Sequence, residues 1–157
     1  MARTPSPGML LKERVHQLLI AKLEGKVENR KAYLAASDAF RLAEIKQRCQ
    51  LKADPSEEFI EMEIKKAGWQ MAYNQQLLDQ LRAVNPRQRC KIVEFGSLVI
   101  IPYGLFFLGI PAGPVDVDDL EVNAVDVGSP MEKIILGHRV GTTLQWDGKN
   151  FRILEIF

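Results

Sequence analysis

The chain has 157 residues, 46% of them hydrophobic, which is the size of one domain or two small ones and excludes a disordered polyelectrolyte. Its formal charge of +1 conceals an asymmetry, because residues 1–89 carry sixteen Lys and Arg against eleven Asp and Glu while residues 90–157 carry five against nine. Two cysteines, Cys49 and Cys90, without CxxC spacing exclude a disulfide framework or a zinc finger and fit a reducing cytoplasm.

Pro5, Pro7 and Gly8 predict a loose lead-in over residues 1–8, and the apolar Met9–Leu11 ends too soon at Lys12, Glu13 and Arg14 to be a signal-peptide core. Helical spacing then runs to about Leu51, through Leu11, Val15, Leu18, Leu19, Leu23, Val27, Leu34, Leu42, Ile45 and Cys49; Gly25, Ser37 and Asp38 leave the stripe irregular. A second helix has a cleaner pattern. Ile60, Ile64, Ala67, Met71, Asn74, Leu78 and Leu81 alternate spacings of four and three, a heptad seam that needs a partner helix. Asp54 and Pro55 leave room only for a short reversal, so the two helices are expected to pair as an antiparallel hairpin. At 1.5 Å per residue a helix of about 40 residues reaches roughly 60 Å, and the hairpin is expected to project. Gly68, inside the second helix, has no evident reason in the sequence.

The segment Asp54–Glu63 (DPSEEFIEME) holds five carboxylates and no cation. One reading is a helix start, with Asp54 as N-cap, Pro55 at the first position and Glu57 at the third. The other is a functional acidic tip near residues 53–61, in which Glu58 and Glu61 join Asp54 and Glu57 on one helix face. On the first helix Arg30, Arg41, Arg48 and Lys52 follow spacings of eleven, seven and four. They are expected on nearly one line, either as a solvated face or as a contact for RNA or an acidic channel.

Asn85-Pro86 closes the helical half, and the sequence changes to short β-branched and aromatic runs separated by Gly and Pro. Expected strands are Ile92–Phe95 with Leu98–Ile101, Leu105–Leu108, a stretch near Leu120–Val127, Thr143–Trp146 and Phe151–Ile156. Asp147-Gly148 marks a hairpin between the last two. Between them SPMEKIILG spells one short helix: Ser129 as N-cap, Pro130 at the first position, Glu132 closing a capping box and Gly137 as the stop. The fold class is α+β: a helical hairpin over 1–89, then a domain of antiparallel sheet with one short helix over 90–157. The apolar run Ile92–Ile110 is broken by Glu94, Gly96, Pro102, Gly104 and Gly109, so no membrane span is expected. Asp116, Asp118, Asp119 and Glu121 lack calcium-loop spacing and read as a solvated loop. His16 and His138 lie far apart, and Walker A, dinucleotide-binding and Gly-x-Ser-x-Gly motifs are missing, so an autonomous enzyme is not expected.

VEFGSLV (Val93–Val99), SPMEKIILGHRVG (Ser129–Gly141) and the closing FRILEI (Phe151–Ile156) resemble the bacterial GreA and GreB transcript-cleavage factors over roughly residues 92–157. The resemblance implies an N-terminal antiparallel coiled coil and a C-terminal FKBP-like domain. It also implies a partner, RNA polymerase: the globular domain docks on the rim of the secondary channel, and the coiled coil carries acids to the active site. There they help hold a magnesium ion shared with the polymerase, which cleaves the 3′ end of backtracked nascent RNA. Such a factor is cytoplasmic, is expected to be monomeric, binds no cofactor tightly and is an accessory to the polymerase rather than an enzyme.

Carried onto this chain, the family's Asp and Glu three residues apart fall on Asp54 and Glu57, with Glu58 and Glu61 as substitutes. Its polymerase-rim corner falls on Ser129 and Pro130. The family usually has Gly before the Asp and Asn after the Glu, where this chain has Ala53 and Glu58. Gly128 stands where Asp or Asn is common. These departures motivate the alternative expectation of a secondary-channel regulator that modulates or inhibits transcription without promoting cleavage. A further alternative is an interaction module whose heptad arm binds some other partner helix.

Overall fold

A computed structural model describes residues 4–157; the first three residues of the expected lead-in lie outside the described residues. Three helices, where the sequence predicts two, precede a mixed sheet with one short helix. Two compact units emerge: residues 21–79, and residues 1–20 together with 80–157.

The helical unit holds most of α1 (Pro7–Ala35), all of α2 (Asp38–Arg48) and most of α3 (Glu57–Ala83). The single first helix expected up to Leu51 is broken at Ala36–Ser37. Ser37 is extended (φ −67°, ψ 159°) and its hydroxyl accepts the Phe40 N–H, so it starts α2 as an N-cap. Arg41 locks the break by donating to the carbonyls of Leu34 and Ala36 at 3.1 and 2.6 Å, satisfying the exposed C-terminal end of α1. The irregular stripe around Ser37 and Asp38 was therefore a helix boundary. Tyr33, Ile45 and Ala67 form a buried cluster here, with Leu34, Cys49, Leu51, Phe59 and Ile60 packed against it. The expected seam of α3 buries Ala67, Leu78 and Leu81 and half-buries Ile60, Ile64, Met71 and Asn74.

In the other unit a five-stranded sheet has the order β3-β4-β2-β1-β7, where β1 is Leu98–Ile101, β2 Gly104–Gly109, β3 Gly113–Val117, β4 Leu120–Asp126 and β7 Glu155–Ile156. β5 (Thr143–Trp146) and β6 (Lys149–Arg152) form a separate hairpin around Asp147 and Gly148, both at positive φ as a tight primed turn requires. The sheet is mixed, not purely antiparallel: β4 pairs parallel with β2. The cause is β3, which the sequence reading missed. Asp118 and Asp119 adopt positive φ and make a two-residue turn from β3 into β4, so β4 re-enters beside β2 in the same direction. What reads as a solvated acidic loop is the turn of a hairpin. Ile92–Phe95 makes a single bridge, Ile92 with Arg139, rather than a strand.

The core of this unit gathers Val93, Val99, Ile101, Leu108, Met131, Ile135, Phe151, Ile153 and Ile156. The start of α1 belongs to the same unit. Val15 and Leu19 are fully buried, Lys12 Nζ donates to the Gln88 carbonyl at 2.8 Å, and the His16 ring shares a hydrogen bond with the Leu81 carbonyl at 2.7 Å. Gly96 illustrates the tightness: at φ +87° it sits so close to Val84 that a Cβ would lie 2.5 Å from that side chain.

Candidate functional site

The acidic segment lies at the reversal between α2 and α3. α2 ends in a Schellman-type turn, with Gln50 at φ 54° and the Leu51 N–H reaching back to the Lys46 carbonyl at 2.9 Å. α3 starts later than the sequence suggested. Its N-cap is Ser56, whose hydroxyl accepts the Phe59 N–H at 3.2 Å and whose carbonyl accepts from Ile60 at 3.1 Å. The expected capping by Asp54 with Pro55 and Glu57 is thus replaced by SEEF in a register two residues on. Ser wins because its short hydroxyl reaches the third helical N–H, and Glu57 and Glu58 then occupy the first turn, where the helix dipole favours acids.

This register releases Asp54 from capping, and Lys46 takes it instead: Nζ lies 2.9 Å from the carboxylate, whose side chain is 68% exposed. Asp54 borders one groove with Lys52, Pro55 and Phe59, whereas Glu57 and Glu61 border another with Asp38, Leu42 and Ile60. Glu57, Glu58 and Glu61 are all exposed, but Asp54 and Glu57 do not share a groove. Among the described residues no group of three or more His, Cys, Asp or Glu could hold a metal ion.

The basic line is largely committed to ion pairs. Arg30 lies 3.9 Å from Glu44 and over the Tyr33 ring, Arg41 pairs with Asp38, and Arg48 contacts Glu44 at 3.4 Å and Glu63 at 2.5 Å. Only Lys52, at the reversal, stands without a salt bridge among these four in the described residues. The hydrogen bond to Glu63 raises the Arg48 pKa above its ordinary value. Burial, followed by the Glu44 charge, raises the Tyr33 pKa above its ordinary value, and among the described residues the Tyr33 hydroxyl has no hydrogen-bond partner. Sequence reasoning places Glu44 beside the basic line but missed Lys46 and Glu63 as partners of these groups. The available signal was Glu63 beside the Ile60–Ala67 seam, since an acid on a buried face needs a cation.

In the other unit Ser129 caps α4 (Pro130–Ile135) as expected, accepting the Glu132 N–H at 3.2 Å. Glu132 returns the bond to the Gly128 N–H at 3.0 Å, one residue earlier than in a standard capping box. Gly137 ends the helix at φ 80° and donates to Val93. Pro130 and Gly128 are exposed, and Val127 and Leu136 are exposed apolar side chains in the same segment. No helix among the described residues is long and apolar enough to cross a membrane.

No protein-family model matches the chain, and no curated protein does. Among solved structures the chain is similar to the GreA factor homolog 1 (Gfh1) protein of Thermus thermophilus, with 20% identity over 88% of this chain and 94% of that one and a TM-score of 0.32. It is also similar to a structure of the transcription factor Gfh1, 22% identical over 99% of both chains with a TM-score of 0.33. TM-scores this low leave the functional interpretation to the residues themselves.

Proposed function

We propose that the chain is a Gre-type transcription factor that binds RNA polymerase through its secondary channel and stimulates the polymerase's own cleavage of backtracked RNA. The observation that carries this reading is the cluster of exposed carboxylates on a short, capped reversal between two packed helices. The Ser129–Gly141 and Phe151–Ile156 segments that resemble the family support it. On this reading the chain is an accessory, not an enzyme, and meets nascent RNA only within the complex in the cytoplasm. Ser129 and Pro130 belong to the docking corner. Lys52, free of a salt bridge, is the basic residue best placed to meet an anion at the reversal.

Magnesium is a hard ion that accepts carboxylate oxygens, and here it is an ion shared with the polymerase rather than resident on this chain. The chain's part is to present carboxylates on a stiffened loop. Pro55 limits the backbone, Ser56 anchors the start of α3, and Lys46 holds Asp54 until a competing cation replaces it.

A second reading is favoured by a specific observation. Asp54 is neutralised by Lys46 and faces a different groove from Glu57, which suits a factor that occupies the channel and alters synthesis without cleavage. One experiment separates the two. Backtracked elongation complexes in Mg²⁺ are mixed with the protein, with the variant carrying both Asp54→Ala and Glu57→Ala, and with Lys46→Ala. Cleavage stimulation predicts shortened transcripts that vanish in the double variant and increase with Lys46→Ala. The regulatory reading predicts binding and altered synthesis with no shortened transcripts from any variant. Failure to bind polymerase at all overturns both.

A further inference from the structure

We infer that the groove between α1 and α3 in the helical unit is a binding site for a free nucleoside polyphosphate. The groove, about 330 Å³, is lined by Lys26, Asn29, Arg30, Gln70, Tyr73 and Asn74. That set contains two cations, three amides, one phenol and no carboxylate. Lys22 and Lys66 stand one helical turn from Lys26 and Gln70 on the same faces. Among the described residues neither they nor Lys26 form a salt bridge. Arg30 is shared with Glu44 at 3.9 Å, so the cations that a free anion finds without an internal acid, among the described residues, are Lys22, Lys26 and Lys66.

The aromatic side of the groove suits a base. Tyr73 is 49% exposed, and Trp69, its neighbour at i, i+4, is 74% exposed, an unusual degree for so large an apolar ring. A flat exposed ring next to cations is the arrangement that stacks a base while its phosphates are neutralised. Asn29, Gln70 and Asn74 supply both donors and acceptors for base edges or ribose hydroxyls. The volume lies at the lower end of small-molecule sites. Toward the reversal Glu57, Glu58 and Glu61 stand exposed at the start of α3 and oppose a polyanionic strand continuing in that direction. One nucleotide fits these limits better than a strand. The site does not depend on the polymerase reading.

The test is calorimetric titration of the whole protein with Mg²⁺-free ATP at low ionic strength, alongside inorganic tripolyphosphate and a short single-stranded RNA. ATP is expected to bind. Tyr73→Leu should weaken it about tenfold through lost stacking. Lys26→Gln with Lys66→Gln should weaken it by a similar factor and flatten its salt dependence. Tripolyphosphate should bind more weakly and ignore Tyr73→Leu. All three positions are exposed, so far-UV circular dichroism of the variants should match the parent. No ATP binding at millimolar concentration, binding unchanged by these substitutions, tripolyphosphate binding as tight as ATP, or RNA binding without ATP binding each overturns the proposal.

Discussion

Replacing Arg48 by Met should destabilise the helical unit through Glu63. The Glu63 side chain is only 7% exposed and its carboxylate takes the 2.5 Å hydrogen bond from Arg48, so removing the guanidinium leaves a buried charge without its cation. Breaking a fully buried pair in this way costs about 3–5 kcal/mol. Arg48 is 38% exposed and part of its interaction is screened by water, which lowers the expected cost to about 2–3 kcal/mol. For a chain of this size that corresponds to a fall of about 4–10 °C in Tm, read by circular dichroism at 222 nm. Adding Glu63→Leu to Arg48→Met should recover most of the loss, because the orphaned carboxylate is then replaced by an apolar side chain beside the Ile60–Ala67 seam. A fall below about 2 °C for the single variant, or a double variant as unstable as the single, refutes the reasoning.

Tyr33→Phe should be neutral or stabilising by up to about 1 kcal/mol, since it deletes a buried hydroxyl that has no partner. It should also flatten the alkaline limb. The folded Tyr33 pKa lies above its unfolded value, so the parent's stability is intact below pH 10 and falls as pH rises through the folded pKa; parallel limbs in parent and variant would contradict this. Gly68→Ala should raise stability by up to about 1 kcal/mol, because nothing lies within 4 Å of a Cβ there and glycine weakens a helix interior. Gly96→Ala should do the opposite, with a positive φ and the Val84 side chain in the way; thermal melts of the pair measure both. Ser56→Ala should cost about 1 kcal/mol in urea unfolding, whereas no capping loss is expected for Asp54→Ala; the reverse order would restore Asp54 as the cap.

Local chemistry accounts for much of what was legible along the chain. The Asp147-Gly148 turn and the Ser129 cap with its Gly137 stop depend on neighbours within a few residues, and both are present as expected. The break between α1 and α2 was visible only as an irregularity. Its stabilising group, Arg41, stands in the sequence only as one member of the basic line with Arg30, Arg48 and Lys52.

Non-local partners decided the rest. The parallel pairing of β4 with β2 follows from a strand inserted through an Asp118–Asp119 turn, where aspartates adopt a conformation more often signalled by Asn or Gly. At the reversal the residues DPSE spell a cap in two registers, and only the positions of the Phe59 and Ile60 N–H groups select Ser56. The fate of Asp54 and of the arginine line depended on Lys46, Glu44 and Glu63, up to fifteen residues away in sequence. Acid count and spacing were readable from residue order. Which acids stay open to a partner was settled by helix packing, because a carboxylate is available only where no cation of the same fold already holds it.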